Sequence, residues 1–268
     1  MATVEKAFDE GTEKVDHPDH AISNWNKVLE RDPENADAYY NRGVAYREKG
    51  ELEQAMSDYT KALEIDPGNA RAYLDRGAGC LVTGQFEQAI SDFTKALEID
   101  PEYDKAYMNR AVAYSIEGQM EQAFCDYAKA LEFNPVDAST YYNRGLAYSV
   151  MGEWDQAIAD FTKALEIDAG HANAHYERGL AYEEKGQWWQ AISDYNETLD
   201  AEPENAAAWH KKGDALRNAG KYYDAIKAYE SFIKFALPES AEEVEEIKRV
   251  VKDLKNRVRG KYEEVAHC

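Results

Sequence analysis

The sequence predicts an all-α fold, built as a stack of helix pairs repeated along the chain. Three observations predict it. The stretch Glu87 to Pro101, EQAISDFTKALEIDP, recurs in near-copies from Glu53, Glu121, Asp155 and Trp189, each 34 residues from the last. A fixed period of this size marks one supersecondary unit stacked on its copies. Apolar residues inside each copy fall at helical spacing, as in Tyr39, Gly43 and Tyr46. Glycine and proline punctuate the copies at fixed places. Units of this kind bury their apolar faces on their neighbours, so the 268 residues need no single closed core.

Residues 1–35 read as a degenerate first unit. Ala21, Ile22, Trp25, Val28, Leu29 and Pro33 keep the spacing of the later second helices, and Pro18 suits a helix start with His17 or Asp16 before it. Gly11 to Ala21 is ten residues where later units use twelve, so the turn is shortened; a short helix is expected around 3–15.

Six units follow, at 36–69, 70–103, 104–137, 138–171, 172–205 and 206–239. In each, a first helix ends at Gly50, Gly84, Gly118, Gly152, Gly186 or Gly220, where a left-handed cap suits glycine. A second helix then carries small alanines (Ala55, Ala62, Ala89, Ala96) that let helices approach, and one aromatic (Tyr59, Phe93, Tyr127, Phe161, Tyr195, Tyr229) that fills the space between. An Asp-Pro or similar pair ends that helix.

The tail, 240–268, opens with Ser240 and Glu243 at capping-box spacing, then places Val244, Ile247, Val251, Leu254 and Val258 on one stripe. A helix that caps the open end of the stack is expected, because such arrays need a terminal unit with a polar outer face. The same spacing suits a coiled-coil seam between two copies of the chain.

The unit pattern resembles the tetratricopeptide repeat family over nearly the whole chain. Its aromatic, Gly, Tyr, Ala, aromatic, Ala and Pro are met at Tyr39, Gly43, Tyr46, Ala55, Tyr59, Ala62 and Pro67. Departures are local: Ala111 for the packing Gly, Cys80 for the Tyr, Ala169 for the Pro, Phe232 for the second Ala. The resemblance implies a right-handed α-α superhelix whose first helices line a concave groove, and a role in binding other proteins.

The net charge of −21 argues against nucleic acid and against anionic membrane surfaces. The tail 239–268 holds 8 acidic and 7 basic residues against 44 and 24 upstream, so the acidity belongs to the repeats. The start, MATVEKAFDE, has no apolar run, and no stretch approaches a membrane span. Three cysteines without metal-like spacing (Cys80 and Cys125 as small apolar helix residues, and Cys268) point to a cytoplasmic protein.

Comparing the six copies separates packing from function. Arg42, Arg76, Arg110, Arg144 and Arg178 recur with Asp58, Asp92, Asp126, Asp160 and Asp194 sixteen residues later; in the sixth unit both change, to Lys212 and Ala228. The joint change predicts a structural ion-pair ladder, within a unit or between neighbours. Each Arg is thereby answered, which makes an anion site a poor reading.

The resemblance places the variable positions of the first helices on the groove. The fifth reads Tyr40, Leu74, Met108, Tyr142, Tyr176, His210; the ninth includes Val44, Ala78, Val112, Leu146 and Leu180; the thirteenth includes Val82, Ile116 and Val150. Leu74, Ala78 and Val82 lie on one stripe, and Met108, Val112, Ile116 and Tyr142, Leu146, Val150 repeat it. An apolar floor rimmed by Glu48, Glu177, Glu183 and Glu184 is the best functional signal. The alternative is that these side chains pack on one another or on a second copy. The sixth position (Asn41, Asp75, Asn109, Asn143, Glu177, Lys211) holds half of an Asn ladder that resembles the peptide-holding groove of O-linked GlcNAc transferase.

The Lys and Asn of the family's carboxylate clamp are missing, since Tyr40 stands with Val44 and Leu74 with Ala78. His171 and His175, like His17 and His20, lack a third ligand and read as surface or core residues rather than metal ligands. No phosphate loop or nucleophile motif appears. The expectation is therefore a non-enzymatic adaptor without cofactor or metal. Its partner is a protein or peptide with apolar anchors and basic flanks, carried by Leu74, Met108, Val112, Tyr142 and Leu146, with Asn109 and Asn143 holding backbone. The second reading is self-assembly through the groove, the stack ends or the tail helix.

Overall fold

The computed structural model describes residues 17–266, and every regular element among them is helical. The helix expected at 3–15 and Cys268 lie outside the described residues. Fourteen α-helices are described: α1 (Pro18–Arg31), α2 (Ala36–Glu48), α3 (Leu52–Ile65), α4 (Ala70–Val82), α5 (Phe86–Ile99), α6 (Asp104–Ile116), α7 (Met120–Phe133), α8 (Ala138–Val150), α9 (Trp154–Ile167), α10 (Ala172–Glu184), α11 (Trp188–Ala201), α12 (Ala206–Asn218), α13 (Tyr222–Phe235) and α14 (Ala241–Ala266). They form two compact bodies that divide between Thr140 and Tyr141.

In the N-terminal body, α1 packs on α2, and the pairs α2/α3, α4/α5 and α6/α7 are antiparallel hairpins in mutual contact along the chain. The tight hairpin begins at each first helix's end. Gly50 adopts φ 80°; its N–H bonds Arg47 O at 2.8 Å, and Glu51 N–H reaches Tyr46 O at 2.8 Å. These two bonds satisfy carbonyls that the helix end leaves open, and only a residue free to take positive φ permits them.

Helix starts are set by a feature the sequence comparison passed over. The last residue of a unit caps the next first helix with its side chain, except Tyr103, which makes no such bond. Asn35 Oδ1 accepts from Ala38 N–H at 2.8 Å, Asn69 from Ala72 at 3.0 Å, and Asp137 from Thr140 at 3.0 Å. The Asp-Pro turns have their own device: Asp66 Oδ1 accepts from Gly68 N–H at 2.9 Å, closing the turn that Pro67 begins.

The core of each hairpin is the aromatic of its second helix. Tyr59, Phe93 and Tyr127 are 0–1% exposed, against alanines such as Ala55, Ala62, Ala89 and Ala96 at 0%. Burial of one such ring stabilises by about 1.5–3 kcal/mol. Close approach is enforced from the other side: a Cβ on Gly77 would sit 2.7 Å from Phe93 Cε1. Cys80 is buried as expected, whereas Cys125 is exposed, because its place on α7 faces away from the hairpin partner.

The C-terminal body repeats this construction. Phe161, Tyr195 and Tyr229 are fully buried, and Asn205 caps α12 through Ala208 N–H at 2.9 Å. At α10 the cap is a histidine: His171 Nδ1 accepts from Ala174 N–H at 3.1 Å. The tail helix α14 packs on α13, with Ile247, Val251 and Leu254 buried in a core that includes Ile226, Tyr229 and Phe232. Lys255 pairs with Glu230 at 2.7 Å, and the Arg257 guanidinium lies 4.6 Å from the Tyr222 ring centre. A short 3₁₀ turn, Pro238–Ser240, leads into α14. Glu243, expected to reach back over that start, instead meets His210 Nδ1 at 2.7 Å.

Candidate functional site

The Arg–Asp ladder is built as a bidentate pair inside each of the first five full units. Arg42 Nε and Nη2 bond the two oxygens of Asp58 at 2.7 and 2.7 Å; the corresponding bonds are 2.8 and 2.7 Å for Arg76–Asp92, and 2.7 and 2.9 Å for Arg110–Asp126. The third nitrogen crosses to the preceding unit, to Asn26 at 2.6 Å, Thr60 at 3.4 Å and Thr94 at 3.0 Å. In the C-terminal body Arg144–Asp160 and Arg178–Asp194 repeat the fork, and Arg178 also reaches Thr162 at 3.0 Å. Tyrosine rings flank the guanidiniums, as Tyr39 and Tyr46 flank Arg42 at 5.4 and 5.8 Å. In the sixth unit Lys212 lies 4.7 Å from the Trp209 ring centre, and burial holds its ammonium below the ordinary lysine range.

The candidate binding residues divide by depth. In the N-terminal body Leu74 (3% exposed), Ala78, Met108, Asn109 and Val112 are buried, and Tyr40, Asn41 and Val44 are partly buried. Val82 at 39% and Ile116 at 44% stand out. In the C-terminal body Tyr142 and Asn143 are buried, Leu146 and Tyr176 are partly buried, and Val150 is 75% exposed beside Met151 at 51%. The fifth and ninth positions thus form packing between side chains of this chain, rather than an open floor of anchors. α4 touches α6 directly, and Tyr142 packs against Phe161 and His171 with ring centres 5.9 and 4.7 Å away. The thirteenth positions, in the last turn of each first helix, carry the exposed apolar surface.

A polar cluster that the sequence reading did not single out joins α2 to α4. Tyr40 Oη–H donates to Asp75 Oδ2 at 2.9 Å, and Arg47 Nη1–H donates to Asp75 Oδ1 at 3.1 Å while Nη2 bonds Glu48 at 2.9 Å. Asp75 is 5% exposed; burial raises its carboxyl above the usual range, and Arg47 opposes that rise. The available signal was the pairing of Arg47 with Asp75, an aspartate at a place where other units carry Asn, Glu or Lys.

The rim carboxylates are unequal. Glu183 accepts from Tyr195 Oη–H at 2.8 Å, Glu48 is held by Arg47, and Glu184 is exposed. Glu177 is partly buried, and among the described residues it makes no hydrogen bond or ion pair; burial alone raises its carboxyl. The Asn ladder is broken in use: Asn41 Nδ2–H donates to its own helix at Asp37 O, 2.8 Å, while the buried Asn109 Oδ1 accepts nothing. His175 faces Asp194 at 3.2 Å and Ala169 O at 3.3 Å, apart from the cap formed by His171. Among the described residues no three His, Cys, Asp or Glu side chains gather as a metal set, and no helix is long and apolar enough to cross a membrane.

Residues 36–69, 70–103 and 138–171 match the family model described as Tetratricopeptide repeat, 19–47 matches one described as TPR repeat, and 93–124 and 184–241 match two further Tetratricopeptide repeat models. Among solved structures the chain is similar to YrrB, a TPR protein with an unusual peptide-binding site, at 29% identity over 70% of this chain and 97% of that one, TM-score 0.55. It is similar to the MamA protein at 31% identity over 64% of this chain and 94% of that one, TM-score 0.54. The pilF protein of Pseudomonas aeruginosa shares the fold, at 21% identity over 80% of this chain and 96% of that one, TM-score 0.69. No curated protein sequence gives a significant match.

Proposed function

Since the chain belongs to the tetratricopeptide repeat family and is a protein-interaction scaffold of that kind, we propose that it is a non-enzymatic adaptor that holds a peptide or helix segment with apolar anchors and basic flanks. The observation that carries this is the exposed apolar set at the ends of first helices, Val82 with Ile116 in one body and Val150 with Met151 in the other, on a chain of net charge −21. Apolar side chains left in water beside carboxylates suit a partner that brings apolar residues and positive charge. In the N-terminal body Leu74, Met108 and Val112 are buried, with Tyr40 and Val44 half-buried; in the C-terminal body Tyr142 is buried, with Leu146 and Tyr176 half-buried. The peptide-binding site of YrrB supports the reading at 29% identity.

Display selection of random peptides on the immobilised chain tests it. Enriched peptides should share apolar residues next to Lys or Arg, and Val82→Asp with Ile116→Asp, or Val150→Asp, should reduce their capture at unchanged helical circular dichroism. A selection that enriches no common pattern would sink the adaptor reading. Self-assembly through the tail helix is less favoured, because the stripe Ile247, Val251 and Leu254 is already covered within the chain.

A further inference from the structure

The chain contains its own precedent for an occupied site. Asp75, the sixth residue of its unit, receives Tyr40 from the fifth position of the preceding unit and Arg47 from the twelfth. A carboxylate turned away from water is thus answered by a phenol and a guanidinium. In the C-terminal body the same repeat positions hold Tyr142 at the fifth, Glu177 at the sixth of the following unit, and Ser149 at the twelfth. Carboxylate and phenol are kept and the cation is missing.

The missing charge is not supplied from elsewhere among the described residues. Glu177 has no hydrogen bond or ion pair. The cations on and beside its helix are committed: Arg178 to Asp194, Lys185 to Asp155, and Lys211 near Glu183 at 4.0 Å. Burial raises the Tyr142 and Tyr176 hydroxyls and the Glu177 charge raises both further, so the carboxylate is near both rings. A partly buried, unanswered carboxylate in that setting is costly to keep without a partner.

We propose that Glu177, the partly buried counterpart of Asp75 in the C-terminal body, is the receptor for the guanidinium of an arginine side chain brought by a protein partner. The proposal rests on the adaptor reading for the source of that arginine. Arginine fits better than lysine, because its planar fork bonds a carboxylate with two parallel N–H groups and stacks on an aromatic face. Arg47 on Asp75 is the intramolecular form of the same contact.

The test uses the full chain, ¹⁵N-labelled, titrated with acetyl-Leu-Arg-Leu-amide and with its citrulline counterpart, which keeps the shape and removes the charge. Amides of 142–150 and 176–184 should shift saturably with the arginine peptide, and the citrulline peptide should bind about fivefold more weakly or worse. Glu177→Gln should erase that difference. Ser149→Arg should also erase it by filling the site from within, and should raise Tm in the Glu177 background and not with Glu177→Gln. Equal binding of the two peptides, or peptides from the display selection that bind Glu177→Gln as well as the natural chain, would overturn the site and leave the adaptor reading standing. A selection that returns no peptide would remove the adaptor reading; the Ser149→Arg melting comparison then decides the site alone, and no Glu177-dependent rise overturns it.

Discussion

Arg76 grips Asp92 through two parallel bonds of 2.8 and 2.7 Å, and the same guanidinium reaches Thr60 of the preceding unit at 3.4 Å. One side chain therefore closes its own hairpin and touches the next. The Asp92 side chain is 2% exposed and Arg76 18%, so removing either partner strands a charge in a poorly solvated place. Asp92→Ala should cost about 3 kcal/mol, the low end for a broken buried pair. The double change Arg76→Leu with Asp92→Leu should cost clearly less than the sum of the single changes, since no charge is left unanswered. Chemical denaturation of the natural chain, Asp92→Ala, the two single Leu variants and the double variant checks both. Additive losses would mean that the ladder is not a coupled pair.

The ladder was legible because one unit breaks it on both sides at once, Lys212 with Ala228. Helix order, glycine ends and buried aromatics were legible for a similar reason: six copies repeat the same physical demand. Depth was not. Periodicity tells which residues share a stripe, but not how far the neighbouring helices cover it, so Leu74, Met108 and Val112 read as floor while packing makes them core. The Tyr40–Asp75–Arg47 cluster was hidden for the opposite reason: it occurs once, so no repeat announced it.

Glycine at the eighth position of a unit is set by ring contact. A Cβ on Gly213 would lie 2.5 Å from Tyr229 Cε1, closer than at Gly43, Gly77, Gly145 or Gly179. Gly213→Ala should destabilise by about 1–3 kcal/mol, the usual cost of overpacking a filled core. The third unit tolerates Ala111 at this place, with Tyr127 still 1% exposed, so the ring can yield where its surroundings permit. Ala111→Gly should therefore lose stability too, by up to about 1 kcal/mol through helix propensity. Thermal melts of both variants check that each melts below the natural chain.

His171 caps α10 where Asn35, Asn69, Asp137 and Asn205 cap other first helices, accepting at Nδ1 from Ala174 N–H at 3.1 Å. His171→Ala should cost about 1 kcal/mol through loss of that acceptor. His171→Asn should restore the cap in the form seen at Asn35, Asn69 and Asn205, and recover most of the loss. Full loss in both variants would shift the role of His171 from the cap to its tilted ring contact with Tyr142 at 4.7 Å.

The tail helix covers Ile226, Tyr229 and Phe232 with Ile247, Val251 and Leu254. Val251→Asp puts a charge at a 7% exposed position and should cost several times more than a surface change, at least about 3 kcal/mol. Removing 241–268 should bare the α13 face and make the chain associate, with light-scattering mass rising with concentration. A dimer in the natural chain that Val251→Asp dissolves into a stable monomer would reverse the assignment, making the stripe a seam between copies.

Glu177 gives the stack a pH dependence whose sign follows from burial. Its folded carboxyl is raised above the usual range, with desolvation as the cause. For a raised group the stabilising contribution is fully present below the unfolded value, about 4.3, and is lost as pH rises through the folded value. At pH 7 the natural chain therefore carries the cost of an ionised, unanswered carboxylate. Glu177→Gln removes that cost and should melt higher than the natural chain at neutral pH. The gap should narrow steadily as pH falls through the raised folded value toward the unfolded one, about 4.3, below which the side chain is a neutral acceptor like Gln. Parallel melts from neutral to mildly acidic pH check the trend. A gap that stays constant would mean that shape rather than charge separates the two side chains, and that Glu177 is not a carboxylate held short of its cation.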